Sequence, residues 1–269
     1  MIRSCLFVPG DRPERFDRAA ASGAHAIVID LEDAVQPEAK EMARCNIADW
    51  LQNGGTDGAE VIVRINGIGT PWHADDIALL GRSGIRHIML PKAEDVTELN
   101  AFVGALPLPL PVIALIETAR GLWTVGDLAA TKGIARLGFG SVDFQLDTGI
   151  RDEAEGLLYA RSRIVVASAM AGLVAPLDGV CVNLDDMTVL EQDTAHAKGL
   201  GFGGKMCIHP KQVEVVNRGF APSSDELVWA GRVVAAADTE GAKGAIRLDG
   251  KLIDLPVVER ARQLLGGEK

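Results

Sequence analysis

The sequence lacks the features that mark secreted and membrane proteins. Its four cysteines, Cys5, Cys45, Cys181 and Cys207, are widely separated and form no C-x-x-C pair, which argues against a disulfide scaffold and against structural zinc. No apolar run approaches the roughly 20 residues that span a bilayer. The N-terminal segment becomes polar too soon for a signal peptide. We therefore expect a cytoplasmic protein with no membrane partner.

Basic residues are also scarce, and several catalytic motifs are missing. The chain has 27 basic against 37 acidic residues and a net charge of -10, so nucleic acid is not an expected partner. The motifs G-x-S-x-G and H-E-x-x-H do not occur, which leaves serine-hydrolase and zinc-protease functions without support. An anionic small molecule can still bind where a local cation or an arginine offsets the overall charge.

What the sequence does contain is a regular alternation of apolar runs and helical segments. Eight strand–helix units follow one another in the 269 residues, which predicts a (β/α)₈ TIM barrel over residues 1–220. A doubly wound sheet is the alternative. Residues 141–154 are predicted as a loop. Residues 221–269 exceed what a barrel needs and predict a helix, a hairpin turning on Asp249 and Gly250, and a final helix. We interpret this extension as a lid on its own or a neighbouring active site.

Two acidic residues follow apolar strands at the end where such barrels place their active sites. Glu117 follows the fifth predicted strand and Asp143 follows the sixth. Because successive strand ends are neighbours in space, the two carboxylates can share one cation. Two carboxylates with water and substrate oxygens suit Mg²⁺, with Mn²⁺ as a substitute, whereas the small number of histidines argues against Zn²⁺. The alternative is a pair of helix-capping acids.

Other charged residues at strand ends could have either a functional or a structural role. Arg64, at the end of the third strand, suits bidentate capture of a substrate carboxylate, but it could instead form a salt bridge to Asp30 or Glu32. The segment Asp30–Asp33 could also supply acceptors for metal-bound water. Lys205 as a Schiff-base nucleophile is conceivable, although nothing near it in sequence suggests a lowered pKa.

The ordered motifs of the chain resemble the citrate lyase β-subunit-like lyases of the HpcH/HpaI aldolase superfamily, which include malyl-CoA and citramalyl-CoA lyases. The matching stretches are LFVPGDRPER at residues 6–15, IDLEDAV at 29–35, VRIN at 63–66, LPK at 90–92, IETARG at 116–121, GSVD at 140–143, GKMCIHP at 204–210 and DGKLIDLP at 249–256. Each motif alone is a weak signal, but the set spans nearly the whole chain in the family's order.

The resemblance implies a Mg²⁺-dependent TIM barrel with Glu117 and Asp143 as metal ligands and Arg64 on the substrate carboxylate. It also implies that Asp254 is an acid/base residue supplied by the tail of a neighbouring subunit, and that the protein is a homotrimer or hexamer. The residues Gly-Ser-Val before Asp143 differ from those of many members, which leaves the size and polarity of the substrate open.

From these residues we expect a lyase that cleaves a carboxylated 3-hydroxyacyl thioester of malyl-, citramalyl- or citryl-CoA type to a 2-oxo acid and an acyl-CoA. Arg12 and Arg15, after the first strand, are candidates for CoA binding, although they could equally be surface residues of a helix. Two alternatives stay open. One is a class II pyruvate-type aldolase on free hydroxy acids. The other is a subunit, acyl-carrier-protein-dependent or non-catalytic, of a citrate lyase-like complex.

Overall fold

The structure, a computed structural model, describes residues 2–55, 58–82, 84–239 and 246–266. The chain separates into two compact units, Ile2–Phe220 and a C-terminal unit from Ala221 onward. The interpretation of the C-terminal unit as a lid stays a prediction.

The first unit is a closed barrel of eight parallel strands in chain order. Strand β1 pairs with β2 on one side and with β8 on the other, so the predicted (β/α)₈ barrel is confirmed. The doubly wound alternative is wrong, because the first and last strands of an open sheet do not pair. The strands are β1 Ser4–Pro9, β2 Ala26–Asp30, β3 Glu60–Arg64, β4 Ile85–Leu90, β5 Val112–Ile116, β6 Ile134–Phe139, β7 Val174–Asp178 and β8 Gly204–Cys207.

The strands are apolar on both faces because both faces are buried. In β2, Ala26 and Val28 belong to the cluster inside the barrel, whereas Ile27 and Ile29 pack in the larger cluster between barrel and helices. Burial of each such valine or isoleucine side chain stabilises the fold by about 1.5 to 3 kcal/mol before the loss of chain entropy is counted. The continuous apolar character of these runs, rather than alternation, is therefore the signature of this sheet.

Helices follow the strands around the barrel. Pro13 and Pro37 open 3₁₀ turns, Pro13–Arg15 and Pro37–Ala39, that lead into the first two helices; proline is favoured there because its missing N–H needs no partner at a helix start. The helices are α1 Phe16–Ala20, α2 Lys40–Gln52, α3 His73–Leu79, α4 Val96–Ala105, α5 Ala119–Ala129, α6 Ser141–Thr148, α7 Leu158–Met170, α8 Met187–Leu200 and α9 Pro210–Phe220.

Helix α6 corrects the predicted loop at residues 141–154. Gly140 precedes it, Gly149 ends it in the left-handed conformation with φ of 75°, and Phe144 packs edge-on against Phe139 with ring centroids 5.5 Å apart. The helix is only eight residues long, and it is held by these tertiary contacts rather than by its own periodicity. As a consequence, Asp143 lies in the first turn of a helix instead of in a loop.

The C-terminal unit contains two helices and a two-stranded antiparallel hairpin. Asp249 and Gly250 turn the hairpin with φ of 50° and 77°, as the sequence predicted for this pair. Residues 241–245, which the prediction also assigned to the hairpin, lie outside the described residues. The elements are α10 Ser224–Thr239, β9 Ile246–Leu248, β10 Lys251–Ile253 and α11 Leu255–Leu265. Across the described parts of both units, no helix has the length and apolar character that crossing a membrane requires.

Candidate active site

The C-terminal ends of strands β2 to β6 bring a group of charged residues together. Asp30 and Arg64 are the last residues of β2 and β3 and are register partners across the two strands. Glu117 directly follows β5, and Asp143 lies in the first turn of α6, after β6. The Thr118 side chain accepts a hydrogen bond from the Gly121 N–H and caps α5, so the chain enters the helix immediately after Glu117.

These residues line one cavity of about 380 Å³. One part of its wall is polar and dominated by carboxylates, and the rest is apolar. Four carboxylates and one guanidinium are among the lining groups, so negative charge is in excess. The cavity is lined by Phe7, Asp30, Asp33, Ala34, Arg64, Leu115, Glu117, Gly140, Ser141, Val142, Asp143, Val180, Met206 and Ile208.

Arg64 is held rigidly by carboxylates. Its Nε and Nη2 each donate to one oxygen of Asp30 at 2.7 Å, and its Nη1 lies 2.9 Å from Glu32 Oε2. The guanidinium also lies over the Phe7 ring, 4.9 Å from its centroid. Burial lowers the pKa of Arg64, but Asp30 and Glu32 outweigh burial and raise it. Since Asp30 takes two of the five N–H donors of the guanidinium, donors remain on the terminal nitrogens for one further carboxylate.

Glu117 is a buried carboxylate with an unusual pKa. Its side chain is almost fully buried, and its Oε2 accepts a hydrogen bond of 2.9 Å from the Lys92 backbone N–H. Burial raises the pKa of Glu117 to about 7; the charges of Glu32 and Asp143 add to this effect, and Arg64 opposes it. A Cβ at Gly140 would lie 2.3 Å from Glu117 Oε1, so glycine is required there for Glu117 to occupy this position.

The atoms with which this cavity could bind a metal ion are mainly carboxylate oxygens. Among the described residues, no three histidine, cysteine, aspartate or glutamate side chains are arranged to hold a metal ion. Glu117 and Asp143 are the two carboxylates at the ends of β5 and β6, and Asp143 has the favourable position of an acid in the first turn of a helix.

The other residues singled out from the sequence lie elsewhere. Asp254 belongs to the C-terminal unit, where it caps α11 by accepting a hydrogen bond from the Val257 N–H at 3.4 Å. Arg15 lines a second cavity of about 410 Å³. Arg12 is exposed, with its guanidinium 3.9 Å from the Asp11 carboxylate.

Lys205 is a structural residue. It is completely buried, and its Nζ lies 2.7 Å from Asp178 and 2.6 Å from Asp193. Burial lowers the pKa of Lys205, but the two carboxylates outweigh it and raise the pKa. A lysine held as a cation in this way is a poor nucleophile, so the structure gives no support to a Schiff base at Lys205.

One contributor to the site had no clear signal in the sequence. Lys92 has φ of 49°, a left-handed conformation rare for residues with a side chain, and its backbone N–H donates to Glu117. In the segment Asp30–Asp33, Asp30 and Glu32 form the salt bridges to Arg64 that the sequence offered as one alternative; acceptance from metal-bound water stays a prediction. The strand register that brings Asp30 beside Arg64 cannot be read from the sequence.

The chain is similar to known proteins over almost its whole length. A family described as HpcH/HpaI aldolase/citrate lyase matches residues 3–210. A citrate lyase subunit beta-like protein of Mycobacterium tuberculosis is 37% identical over 271 residues, which cover 97% of this chain and 93% of the relative. A (3S)-malyl-CoA thioesterase of Cereibacter sphaeroides is 32% identical over 269 residues, covering 98% and 93%. The structure of CitE from M. tuberculosis in complex with magnesium, acetoacetate and coenzyme A aligns with a TM-score of 0.83 and 34% identity, covering 98% of this chain and 97% of that one.

Proposed function

Since the chain belongs to the HpcH/HpaI aldolase/citrate lyase family and is a lyase, we propose that it cleaves a carboxylated 3-hydroxyacyl thioester to a 2-oxo acid and an acyl-CoA, with Mg²⁺ as cofactor. The substrate is of the malyl-, citramalyl- or citryl-CoA type. The observation that carries the proposal is the cavity in which Glu117, Asp143 and Arg64 meet. The magnesium and coenzyme A present in the M. tuberculosis structure support both the cofactor and the thioester.

The residues of the cavity fit a hard divalent cation. Glu117 and Asp143 offer carboxylate oxygens, and the cavity has room for water and substrate oxygens, which Mg²⁺ retains in most protein sites. The raised pKa of Glu117 reflects a carboxylate that lacks a counter-charge sufficient to offset its burial. We assign Glu117 and Asp143 as the metal ligands, and Mn²⁺ should substitute. When bound, the cation supplies Lewis-acid stabilisation of negative charge on the substrate oxygens.

Arg64 binds and orients the substrate carboxylate. Asp30 holds the guanidinium in one orientation, so the remaining N–H donors meet the carboxylate without a further loss of side-chain freedom. We assign the second substrate contact to Glu117, which lines the same cavity as Arg64. The apolar wall of Phe7, Leu115 and Met206 limits the access of water to the reacting carbons.

Cleavage requires two proton movements. The bond between the hydroxyl-bearing carbon and the thioester α-carbon breaks, and its electron pair passes to the α-carbon. The hydroxyl group gives its proton to water, so that the carbon becomes the carbonyl of the oxo acid. The α-carbon takes one proton from a carboxylic acid group, which solvent then reprotonates. We assign delivery of that proton to Asp254. The charge on Arg64, fixed beside the carboxylate, keeps the oxo acid in place while the bond breaks.

A second cavity supports a thioester rather than a free acid as substrate. It is lined in part by Phe7 and Ile208, which also line the first cavity, and by the basic side chains of Arg15, Arg18 and His209. An apolar channel with cations at its edge suits a long carrier arm that ends in phosphate groups. We assign Arg15, with Arg12 nearby in the chain, to the CoA phosphates.

A coupled assay of the purified protein tests the proposal. Malyl-, citramalyl- and citryl-CoA are incubated with and without Mg²⁺, and release of the oxo acid is followed with its NADH-dependent dehydrogenase. Cleavage of at least one thioester, abolished by excess EDTA and restored by Mg²⁺ or Mn²⁺, is the expected result. Full activity in EDTA would remove the metal from the reaction.

The same assay separates the two alternatives. Cleavage of free citramalate or malate without the thioester would indicate a class II aldolase. Activity only on an acyl-carrier-protein thioester, and none on CoA thioesters, would indicate a subunit of a citrate lyase-like complex.

Asp254 can be tested together with the oligomeric state, which we propose to be a homotrimer or hexamer. Asp254→Ala and Arg64→Ala are each expected to be inactive. If Asp254 serves a neighbouring subunit, exchange of subunits between these two variants restores part of the activity, because some sites combine an intact barrel with an intact tail. If Asp254 serves its own barrel, mixing restores nothing. Full activity of Asp254→Ala alone would exclude it from the reaction.

A further inference from the structure

Lys92 adopts a backbone conformation that its own residue type does not favour. Among the described residues, Lys92 and Asp249 are the non-glycine residues with positive φ. Asp249 belongs to a tight hairpin turn that requires this conformation. Lys92 is in no such turn; it follows β4 at the mouth of the barrel. Left-handed conformations of this kind cost free energy and persist where the surrounding structure imposes them, most often at functional sites.

The conformation allows Lys92 to contact two carboxylates that follow different strands. Its backbone N–H donates to Glu117 Oε2 at 2.9 Å, and its Nζ donates to Glu32 Oε1 at 2.7 Å. The next N–H, of Ala93, donates to the Leu115 carbonyl on β5 at 3.1 Å, which keeps the turn against that strand. One residue therefore reaches the end of β5 with its backbone and the segment after β2 with its side chain.

Through these contacts Lys92 is connected to both functional parts of the cavity. Glu117 lies between the Lys92 N–H and the Cα of Gly140, where no side chain fits. Glu32 lies between Lys92 Nζ and Arg64, with its other oxygen 2.9 Å from Arg64 Nη1. The Lys92 ammonium therefore faces a carboxylate that is shared with Arg64.

We infer that Lys92 is a positioning residue with two separable roles. Its left-handed backbone orients Glu117 towards the cation, and its ammonium holds Glu32 against Arg64 and so keeps Arg64 aligned with the substrate carboxylate. Lys92 does not line the cavity that contains Arg64 and Glu117, so it acts through these two residues rather than on the substrate. The inference rests on the proposed function for the kinetic part of its test, but not for the metal-binding part.

Two substitutions separate the roles. Lys92→Met keeps the backbone N–H and the length of the side chain but removes the charge. We expect it to raise KM for the thioester by roughly 10-fold or more while the Kd for Mg²⁺, measured by calorimetry, stays within about 2-fold. Lys92→Val also opposes the left-handed backbone conformation, because a β-branched residue tolerates it much less than lysine does. We expect it to weaken Mg²⁺ binding by roughly 10-fold in addition.

Two further variants serve as controls. Lys92→Arg retains a cation for Glu32 and should restore KM towards the unmodified value, which a general loss of stability would not do. Lys132→Met removes an exposed lysine next to the start of β6, at the other end of the barrel, and should leave both KM and the Mg²⁺ affinity unchanged. Thermal unfolding followed by circular dichroism identifies any variant that fails to fold.

The outcomes distinguish failure of the inference from failure of the proposed function. If Lys92→Met and Lys92→Val match the unmodified protein in KM and in Mg²⁺ affinity, Lys92 has no positioning role. If the unmodified protein cleaves no thioester, the proposed function fails. The Mg²⁺ affinities of Lys92→Val and Lys92→Met still decide the role of the backbone in that case.

Discussion

Two clusters of buried charge lie on the barrel, one at the C-terminal ends of β2 to β5 and the other on β7 and β8. Each contains a pair of oppositely charged register partners on neighbouring strands, Asp30 with Arg64 in the first and Asp178 with Lys205 in the second. The second cluster adds Arg161, whose Nε donates to Asp178 at 2.9 Å, and Asp193, 2.6 Å from Lys205. Similar local chemistry therefore occurs twice in the barrel.

The clusters differ in charge balance. In the β7–β8 cluster two cations face two carboxylates, and Lys205 and Asp178 are completely buried. Burial opposes ionisation of Asp178, yet Lys205 and Arg161 outweigh it and lower the pKa. In the β2–β5 cluster Arg64 and Lys92 face Asp30, Glu32 and Glu117, with Asp143 close to Glu117, and the pKa of Glu117 is raised. A balanced cluster stabilises the fold, whereas an excess of carboxylates beside a cavity can bind a cation.

The largest expected effect is the loss of activity on substitution of Glu117. Glu117→Gln should lower cleavage by roughly 1,000-fold or more, because it removes a charged ligand from a cation that contributes several kcal/mol to catalysis. The unfolding temperature without metal should not fall, since an amide is less costly to bury than this carboxylate. The coupled assay and circular dichroism measure both. Retention of a tenth of the activity would contradict the metal assignment; Asp143→Asn is the parallel test.

Substitution of Asp178 should have the opposite pattern. Asp178→Asn leaves Lys205 and Arg161 buried with less compensating charge, and removing one partner of a buried pair commonly costs about 3 to 5 kcal/mol. We expect a loss of this order in the free energy of unfolding, measured by urea denaturation. The folded fraction should keep near-normal activity. A stable but inactive Asp178→Asn protein would show that the β7–β8 cluster serves the reaction rather than the stability of the fold.

A smaller effect is expected for the residue that holds the arginine. Asp30→Asn keeps one acceptor for Arg64 but removes the charge and one of the paired hydrogen bonds. We expect KM for the thioester to rise roughly 10- to 100-fold with little change in Mg²⁺ affinity. Steady-state kinetics and calorimetry separate the two. An unchanged KM would mean that Glu32 alone is sufficient to orient Arg64.

The smallest expected effect is on the pH dependence of stability. The folded-state pKa of Asp178 is lower than its value in the unfolded chain, so protonation favours unfolding. Its contribution is complete above roughly pH 4, where the unfolded carboxyl is ionised, and is lost as pH falls towards the folded-state pKa. The urea concentration at the midpoint of unfolding should fall less between pH 7 and pH 3 for Asp178→Asn than for the unmodified protein. An equal fall in both proteins would exclude Asp178 as a source of acid sensitivity.

Much of the fold and part of the site were predictable because they depend on local sequence. The apolar runs predict the strands, and their number predicts closure, since parallel strands covered by helices are buried on both faces. The strand ends meet at one face of the barrel, so the sequence predicts that Arg64, Glu117 and Asp143 lie close together, and they line one cavity. Helix α6 was missed because its stability comes from Phe144 packing on Phe139 rather than from periodicity.

The remaining features depend on contacts between distant segments. For Arg64 the sequence left open a substrate contact or a salt bridge to Asp30 or Glu32, and the structure shows both salt bridges on an arginine that still lines the cavity. For Lys205 the sequence left open a role as a nucleophile, and the structure shows this lysine in salt bridges with two carboxylates. Neither outcome can be read from the residues next to Arg64 or Lys205, because their partners lie 12 or more positions away in the chain.

The sequence by itself therefore determined the barrel and the strand ends at which its charged residues would meet, because strand formation and burial follow from short-range apolar patterns. Only the tertiary structure decided how those charges are paired. Strand register placed Asp30 beside Arg64 and Asp178 beside Lys205, and packing imposed on Lys92 a backbone conformation that its own preferences oppose. These arrangements are stabilised by contacts between segments that are distant in the chain, so a local sequence pattern does not predict them.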